Sequence, residues 1–315
     1  MRIASIFIAA ALALARFPVG DAAAQAWVQK PGAYYSKITA SYLSTDEQYN
    51  FAGNLEPIAN DDPLFLNETF LDVSFIAYVE YGLSDRYTLV TTLPFKISTT
   101  DNTQIPLVAG DTPSEMTRTN GGLGDLWVSL RTPFVQSSTA VSLQGGVKVP
   151  LGYEDIPENG GPSLGTSEID FEINLFAGQS LYPIAGYISA GIGYRFRGGD
   201  DFDDEVIYNV EGGYTTGPLF LKLRFEGLQN VGPITDPFAG TQLPLPGGGG
   251  TTSSDANARN QDRYQINPVI AFNLTEGFGI TAEAFHVLGG KNTVAGTTWV
   301  VGMVFAGGAK APDEE

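Results

Sequence analysis

One eight-residue run holds the densest group of candidate metal-ligating side chains. Between Gly198 and Glu205 stand five carboxylates, and hard oxygen ligands at that density could bind Ca²⁺ or bridge divalent ions to lipopolysaccharide. They are Asp200, Asp201, Asp203, Asp204 and Glu205. Their spacing lacks the alternating aspartate pattern and the glycine of a dedicated calcium loop, so the sequence favours a solvated acidic loop over a metal site.

Catalytic groups are scarce in this chain. It has no cysteine, which excludes disulfide frameworks, thiolate-bound metals and thiol nucleophiles together. Its one histidine, His286, is the residue on which a Ser-His or Asp-His lipid hydrolase would depend. Because His286 falls in line with apolar side chains near the end of its segment, we expect a protein that is not an enzyme and that needs no cofactor.

The other charged side chains recur at alternate positions of short segments, which is the period of a β-strand. The apolar faces carry no Asp, Glu, Lys or Arg, as expected where a midplane Arg or Lys costs about 2–4 kcal/mol in lipid. A wet lumen accepts the opposed charges that a sandwich core would bury at large cost. The residues assigned to the lumen are Lys37, Glu80, Arg86, Lys96, Asp125, Arg131, Lys148, Glu168, Asp170, Glu172, Arg195, Arg197, Lys222, Arg224 and Glu226.

Aromatic side chains on the same inward faces suggest a second property of the lumen. One interpretation is an aromatic lining that binds an apolar solute, and the favoured alternative is simple filling of the lumen. For the charges, a basic side facing an acidic side could orient solutes, or could pair to stiffen the wall. The lumen aromatics are Phe70, Tyr78, Trp127, Phe176, Tyr187 and Phe220.

The elements that position these residues are twelve segments in which apolar and polar residues alternate, and the connections between them are alternately short and long. A membrane barrel has short turns at one rim and long loops at the other, whereas a secreted sandwich has no reason to sort its loops. The sequence therefore predicts an all-β fold: a transmembrane antiparallel up-and-down β-barrel of about twelve strands over residues 27–305. A polar C-terminal tail, residues 306–315, follows it.

A secretory signal peptide is predicted over residues 1–26. Arg2 precedes an apolar stretch of about a dozen residues, and the alanine-rich segment that follows offers cleavage after Ala24 or Ala26. Only a few mature residues then precede the first strand. We therefore expect no N-terminal plug, so that any gate would be a loop, such as the proline- and glycine-rich residues 229–262.

Four glycine-rich motifs follow one another along the chain. They are Tyr81-Gly-Leu-Ser-Asp-Arg-Tyr-Thr-Leu-Val90, Gly121-Gly-Leu-Gly-Asp-Leu-Trp-Val-Ser-Leu-Arg131, Gly146-Val-Lys-Val-Pro-Leu-Gly152 and Gly165-Thr-Ser-Glu-Ile-Asp-Phe171. These motifs resemble an outer-membrane β-barrel family named for the MetA pathway of phenol degradation. The resemblance spans about Trp27 to Phe305 and implies a Gram-negative outer-membrane barrel that moves small hydrophobic or aromatic compounds and has no known catalytic residues.

Composition and motifs together predict a channel or facilitator for small solutes with a narrow, charged lumen. A formal net charge of -18 argues against nucleic acid as a partner, because it repels phosphates. The expected partners are the lipid bilayer, lipopolysaccharide and a small-molecule solute. Two alternatives stay open: a barrel hydrolase acting on lipids, and a plugged structural barrel whose outer loops bind at the surface.

Overall fold

The computed structural model describes residues 25–58, 65–106, 112–154, 157–234 and 260–308, and everything below concerns these residues. They form β-strands, and no helix among them is long and apolar enough to cross a membrane. The strands are β1 (Tyr34–Thr45), β2 (Glu47–Tyr49), β3 (Leu55–Pro57), β4 (Phe65–Ser84), β5 (Tyr87–Gln104), β6 (Ser114–Leu123), β7 (Asp125–Gln136), β8 (Thr139–Pro150), β9 (Asp170–Ser180), β10 (Gly186–Phe196), β11 (Glu205–Thr216), β12 (Leu219–Asn230), β13 (Asp262–Thr275), β14 (Phe278–Lys291), β15 (Thr293–Val294) and β16 (Thr297–Gly307).

The strands close into one antiparallel barrel. Each wall strand pairs with its neighbours in the chain, and β1 closes the ring by pairing with both β4 and β16. Strands β6 and β7 share one place beside β5 and are separated by Gly124, whose N–H donates to the Pro94 carbonyl over 3.0 Å. The wall therefore has twelve strands, as the sequence predicts. The short strands β2, β3 and β15 form a separate small sheet.

The two faces of the wall differ as lipid and water require. Outward side chains are apolar and exposed, for example Ile38, Phe75 and Trp299, whereas inward neighbours such as Thr39 and Ser74 are buried. Exposed aromatic side chains lie near the strand ends at the short-turn rim, as in the interfacial girdles of membrane barrels. They are Tyr34, Tyr81, Tyr87, Phe134, Tyr182 and Tyr214.

The structure extends several predicted strands. β4 and β5 run for 20 and 18 residues, well into segments predicted as long loops, because a strand that projects past the lipid can be polar on both faces. Residues 306 and 307 belong to β16 rather than to the predicted tail. The tail from 309, the signal peptide up to residue 24, and most of the proline- and glycine-rich loop (235–259) lie outside the described residues.

Three predicted lumen charges do not lie on strands, and one of them, Arg197, directly follows β10. Arg86 is exposed in the two-residue turn between β4 and β5, because the hairpin turns one residue later than the alternation suggests. Glu168 precedes β9, which begins at Asp170, and its side chain lies beside Gly199 in the loop after β10. The predicted place of Arg86 on the lumen wall is therefore wrong, whereas Glu168 is half-buried just before the wall strand that was predicted to carry it.

Candidate functional site: the barrel lumen

The remaining charged residues form ion pairs, most of which join different strands. Arg131 Nη1 lies 3.1 Å from Glu80 Oε1, and Lys148 Nζ lies 2.6 Å from Asp170 Oδ2 and 3.7 Å from Asp125 Oδ2. Arg195 contacts Glu172 at 2.8 Å and Glu205 at 2.7 Å. The other pairs are Lys37–Glu283, Lys96–Asp72, Arg197–Glu205, Lys222–Glu211 and Arg224–Glu226.

This arrangement places opposite charges beside each other rather than on opposing sides of the lumen. Neighbouring strands supply most of the partners, as in Arg195 on β10 with Glu172 on β9 and Glu205 on β11. Local pairing of this kind cancels charge along the wall. The geometry is therefore that of a cross-linked wall, and the transverse field between a basic and an acidic side is not the dominant feature.

The predicted lumen aromatics also lie on the inward faces. Phe176, Tyr187 and Phe220 are buried near the short-turn rim, and the Tyr187 hydroxyl donates to Glu211 over 2.9 Å. The Arg195 guanidinium lies over the Trp127 ring, with Arg195 Cζ 4.9 Å from the ring centroid. The Tyr78 hydroxyl donates to Glu80, while Phe70 is half-buried on β4 nearer the long loops. These rings are spread along the lumen and do not form one cluster.

Residues 25–30, which precede β1, cross the lumen at the short-turn rim. The Trp27 indole N–H donates to the Ser137 carbonyl over 3.1 Å, and its ring meets Tyr187 edge to face at 6.0 Å. Val28 exchanges two backbone hydrogen bonds with the side-chain amide of Gln136. The expectation that no N-terminal plug fits is therefore wrong, because six residues, which begin with a turn, are enough to contact the inner wall on both sides of the short-turn rim.

Wall residues hold this N-terminal segment (residues 25–30) along its length. Arg131 Nη1 donates to the Trp27 carbonyl over 3.1 Å, in addition to its ion pair with Glu80. Gln29 donates its backbone N–H to the Thr88 hydroxyl and its side-chain amide to Glu80, both over 2.9 Å. The buried ion pair and the segment are thus one hydrogen-bonded unit.

At the long-loop end, the described parts of the β8–β9 loop (151–154 and 157–169) pack on the inner side of β5, β6 and β7. Lys96 Nζ donates to the Leu164 carbonyl over 3.3 Å, and the Asn120 side-chain amide donates to the Pro162 carbonyl over 2.8 Å. Leu164 is buried, and its side chain approaches Gly122 closely. This inward loop narrows the lumen on the side opposite β12–β14.

Between these two constrictions lies a cavity of about 260 Å³. Its lining combines apolar side chains with charged ones, and Gln25 of the N-terminal segment contributes to it. Small-molecule sites in general have mostly apolar walls with a few placed polar groups, and this cavity has that character. The lining residues used below are Tyr35, Lys37, Glu80, Glu211, Phe220, Lys222, Arg224, Val269, Glu283 and Val300.

The five loop carboxylates are not brought together to bind a metal. Asp203 accepts from the side-chain amides of Asn230 and Asn260, Asp204 accepts from the Tyr194 hydroxyl, and Glu205 pairs with two arginines. Asp200 and Asp201 are exposed. Within the described ranges no group of three or more His, Cys, Asp or Glu could hold a metal ion, so the metal interpretation is wrong there.

Arg197, just beyond β10, shows what this loop does instead. Its guanidinium lies 4.2 Å from the Phe202 ring centroid and 3.1 Å from Glu205. Burial lowers the pKa of the Arg197 side chain, and the Glu205 carboxylate opposes that shift. Arg197 therefore holds the acidic loop against the end of the wall, and the Glu205 carboxylate balances the charge of this arginine.

His286 lies on the outer face of β14, exposed, with its Nδ1 atom 2.9 Å from the Thr297 hydroxyl of β16. A triad base needs a nucleophilic hydroxyl on one ring nitrogen and a carboxylate on the other. In the described structure the hydrogen-bond partner of His286 is the hydroxyl of a threonine rather than a carboxylate. This geometry does not favour the hydrolase alternative.

Comparison with solved structures bears on the fold. The barrel is similar to a crystallised outer-membrane channel from Pseudomonas putida F1, with 12% identity over 90% of this chain and 98% of that chain and a TM-score of 0.60. The chain has an outer-membrane barrel fold. The barrel also aligns with the NanC porin at 8% identity, over 85% of this chain and 98% of the porin, with a TM-score of 0.48.

Sequence comparisons add no relative. No protein-family model matches the chain, and no curated protein matches it either. The likeness to solved structures, at such low identity, concerns the barrel fold alone. The resemblance to the phenol-degradation family therefore stays a prediction from the motifs.

Proposed function

We propose that this barrel is an outer-membrane channel through which small solutes pass. The observation that carries the proposal is the amphipathic cavity, which lies inside a closed wall whose outer face is apolar and whose inner face is charged. A barrel of about twelve strands is wider than the filled eight-stranded barrels and narrower than the open porins, so its lumen can select.

The lining supports solutes with an apolar part. Tyr35, Phe220, Val269 and Val300 all face the cavity, and each is buried in the free protein. An apolar group entering the cavity would add contacts to these side chains that water cannot make. Small hydrophobic or aromatic compounds are therefore the proposed cargo.

The two constrictions imply that passage is facilitated rather than freely diffusive. The N-terminal segment closes part of the short-turn rim and the β8–β9 loop narrows the other end. A solute larger than an ion has to pass both. The same two features favour the second candidate, a plugged barrel that works through its outer surface, so one experiment has to separate the two.

That experiment is single-channel recording of the refolded mature chain in planar bilayers, with and without phenol as a small aromatic solute. The channel proposal expects steady openings whose current phenol reduces in a concentration-dependent manner. A barrel that inserts correctly but stays silent, both as wild type and after deletion of residues 25–28, would overturn the proposal and support the plugged barrel.

A further inference from the structure

We propose that the cavity binds a small amphipathic carboxylate, with Lys222 as its main anchor and Arg224 beside it. Three bases and three acids line this cavity, so its formal charge is balanced. The bases, however, are more exposed to a ligand than the acids are. Lys37, Lys222 and Arg224 keep 22%, 15% and 19% of their side chains exposed, whereas Glu80, Glu211 and Glu283 keep 5%, 0% and 2%.

The difference in exposure decides which sign of charge a solute meets. The acids lie behind the inner surface of the wall, while the bases reach into the open space. A carboxylate in the cavity can approach the cationic tips directly, but an ammonium group would reach the acids only after displacing the bases. Ion pairs and hydrogen bonds to charged groups strengthen where water is partly excluded, which favours an anion here.

Lys222 has hydrogen-bonding capacity that its contacts in the wall do not use. An ammonium has three donors, and among the described residues the polar contact of Lys222 is a single ion pair with Glu211 at 3.7 Å. That carboxylate is also incompletely satisfied. Glu211 Oε1 accepts from Tyr187, but Oε2 is buried without a hydrogen-bond partner in the described structure.

Lys222 and Glu211 are thus close enough to attract each other but too far apart for a hydrogen bond, so the Lys222 ammonium can still donate to an oxygen of a ligand. A bound carboxylate would take donors of Lys222 that now have no acceptor in the wall, and Glu211 would keep the lysine charged and in place. Arg224 follows Lys222 by two residues on the same inward face of β12. It pairs with Glu226 and provides a second cation beside Lys222.

The apolar part of the ligand has its place on the same face. Phe220 precedes Lys222 by two residues on β12, and Val269 is the partner of Lys222 across the β12–β13 pair. The cavity of about 260 Å³ is below the usual 300–1,000 Å³ range of drug-sized sites. A single aromatic ring with one carboxylate, as in benzoate, matches both the volume and the chemistry.

The test compares benzoate, benzyl alcohol and benzylamine, which share one ring and differ in charge, by isothermal titration calorimetry on the folded barrel in detergent. We expect benzoate to bind at least about tenfold more tightly than benzyl alcohol, and benzylamine to bind most weakly. Equal affinity for benzoate and benzyl alcohol in the wild type would overturn the proposal, whatever the variants do.

Variants then assign the site. Lys222→Gln should reduce the preference for benzoate to within about twofold, while Lys222→Arg should keep it, because the positive charge remains. Lys291→Gln is the matched control, since Lys291 is exposed at the end of β14 and is not part of the cavity lining. A preference that survives in a folded Lys222→Gln barrel would show that the anchor lies elsewhere and would overturn the assignment.

This inference rests on the proposed function only in treating the occupant as a transported solute. A conducting wild-type barrel without benzoate preference would overturn the carboxylate site and leave the channel proposal intact. A silent barrel that binds benzoate through Lys222 would overturn the channel proposal and leave the site intact.

Discussion

Arg131 and Glu80 face each other across β7 and β4, with Arg131 Nη1 and Glu80 Oε1 3.1 Å apart and both side chains almost wholly buried. The strands that carry them are not adjacent, because β5 lies between. The pair therefore reaches over a strand inside the lumen. The same arginine also holds the Trp27 carbonyl, so the pair fixes the wall and the N-terminal segment at once.

Breaking this pair from one side should destabilise the barrel. Arg131→Met leaves the Glu80 carboxylate buried without its cation, a change that costs about 3–5 kcal/mol in buried pairs. Urea titration of folding into detergent micelles measures the loss. Arg86→Met, in an exposed turn, should change the free energy of unfolding by less than about 0.5 kcal/mol. The double variant Arg131→Met with Glu80→Leu should recover part of the loss, and no recovery would contradict the pairing argument.

A methyl group at Gly178 should loosen the N-terminal segment from the wall. A Cβ there would lie 2.5 Å from Trp27 Cζ3 and 2.9 Å from the Ala26 Cβ, so Gly178→Ala cannot keep the segment in place. We expect a higher single-channel conductance and faster maleimide labelling of a cysteine placed at Gln25, since the native chain has no cysteine. Gly145→Ala is the control, because no atom lies within 4 Å of its Cβ. Equal labelling rates in the two variants would argue against this picture.

The β8–β9 loop should depend on one tyrosine. The Tyr153 hydroxyl donates to Asp125 and accepts from the Ser167 N–H over 3.0 Å, so it joins two parts of the loop to β7. Tyr153→Phe removes a hydrogen bond to a charged group, worth about 1.5–3 kcal/mol. Limited proteolysis of the folded barrel should then cut the loop faster. The Tyr182→Phe variant, changed at a tyrosine that is 88% exposed, should be cut by the protease at the wild-type rate.

The structure favours one of the two predicted cleavage positions. Ala26 is fully buried against Ala140 and Phe176, and Gln25 reaches the cavity. Cleavage after Ala24 keeps both residues, whereas cleavage after Ala26 would leave an unfilled space beside Phe176. Intact-mass spectrometry of the membrane-extracted protein should therefore find Gln25 as the first residue. A mass that begins at Trp27 would contradict the prediction.

The wall could be predicted from sequence because its two environments impose alternation residue by residue. Ile173 and Asn174 on β9 illustrate this, since one is exposed on the apolar face and the other buried on the polar face. The ends of strands were harder to predict. At the end of β5 both faces carry polar side chains, including Thr99, Thr100 and Asn102, so this part of the strand has no apolar–polar alternation.

The lumen contacts could be predicted only in part. The alternation of side chains along a strand places Arg131, Lys148 and Arg195 inside the barrel. It does not identify their partners, which depend on the register of neighbouring strands and on side-chain length. The N-terminal segment was missed for a different reason. Val28 bonds to Gln136, 108 residues away, and a segment of six residues has no period from which such a contact could be inferred.

The seam between β1 and β16 determines where a label can be attached to this barrel. β1 follows directly on the N-terminal segment and closes the ring against the last wall strand, from Tyr34 opposite Gly307 to Tyr42 opposite Trp299. The N-terminal segment therefore enters the lumen directly beside the strand pair that closes the ring. A folded tag joined ahead of Gln25 would compete for that enclosed space and obstruct insertion, so affinity labels for this barrel belong in its outer loops.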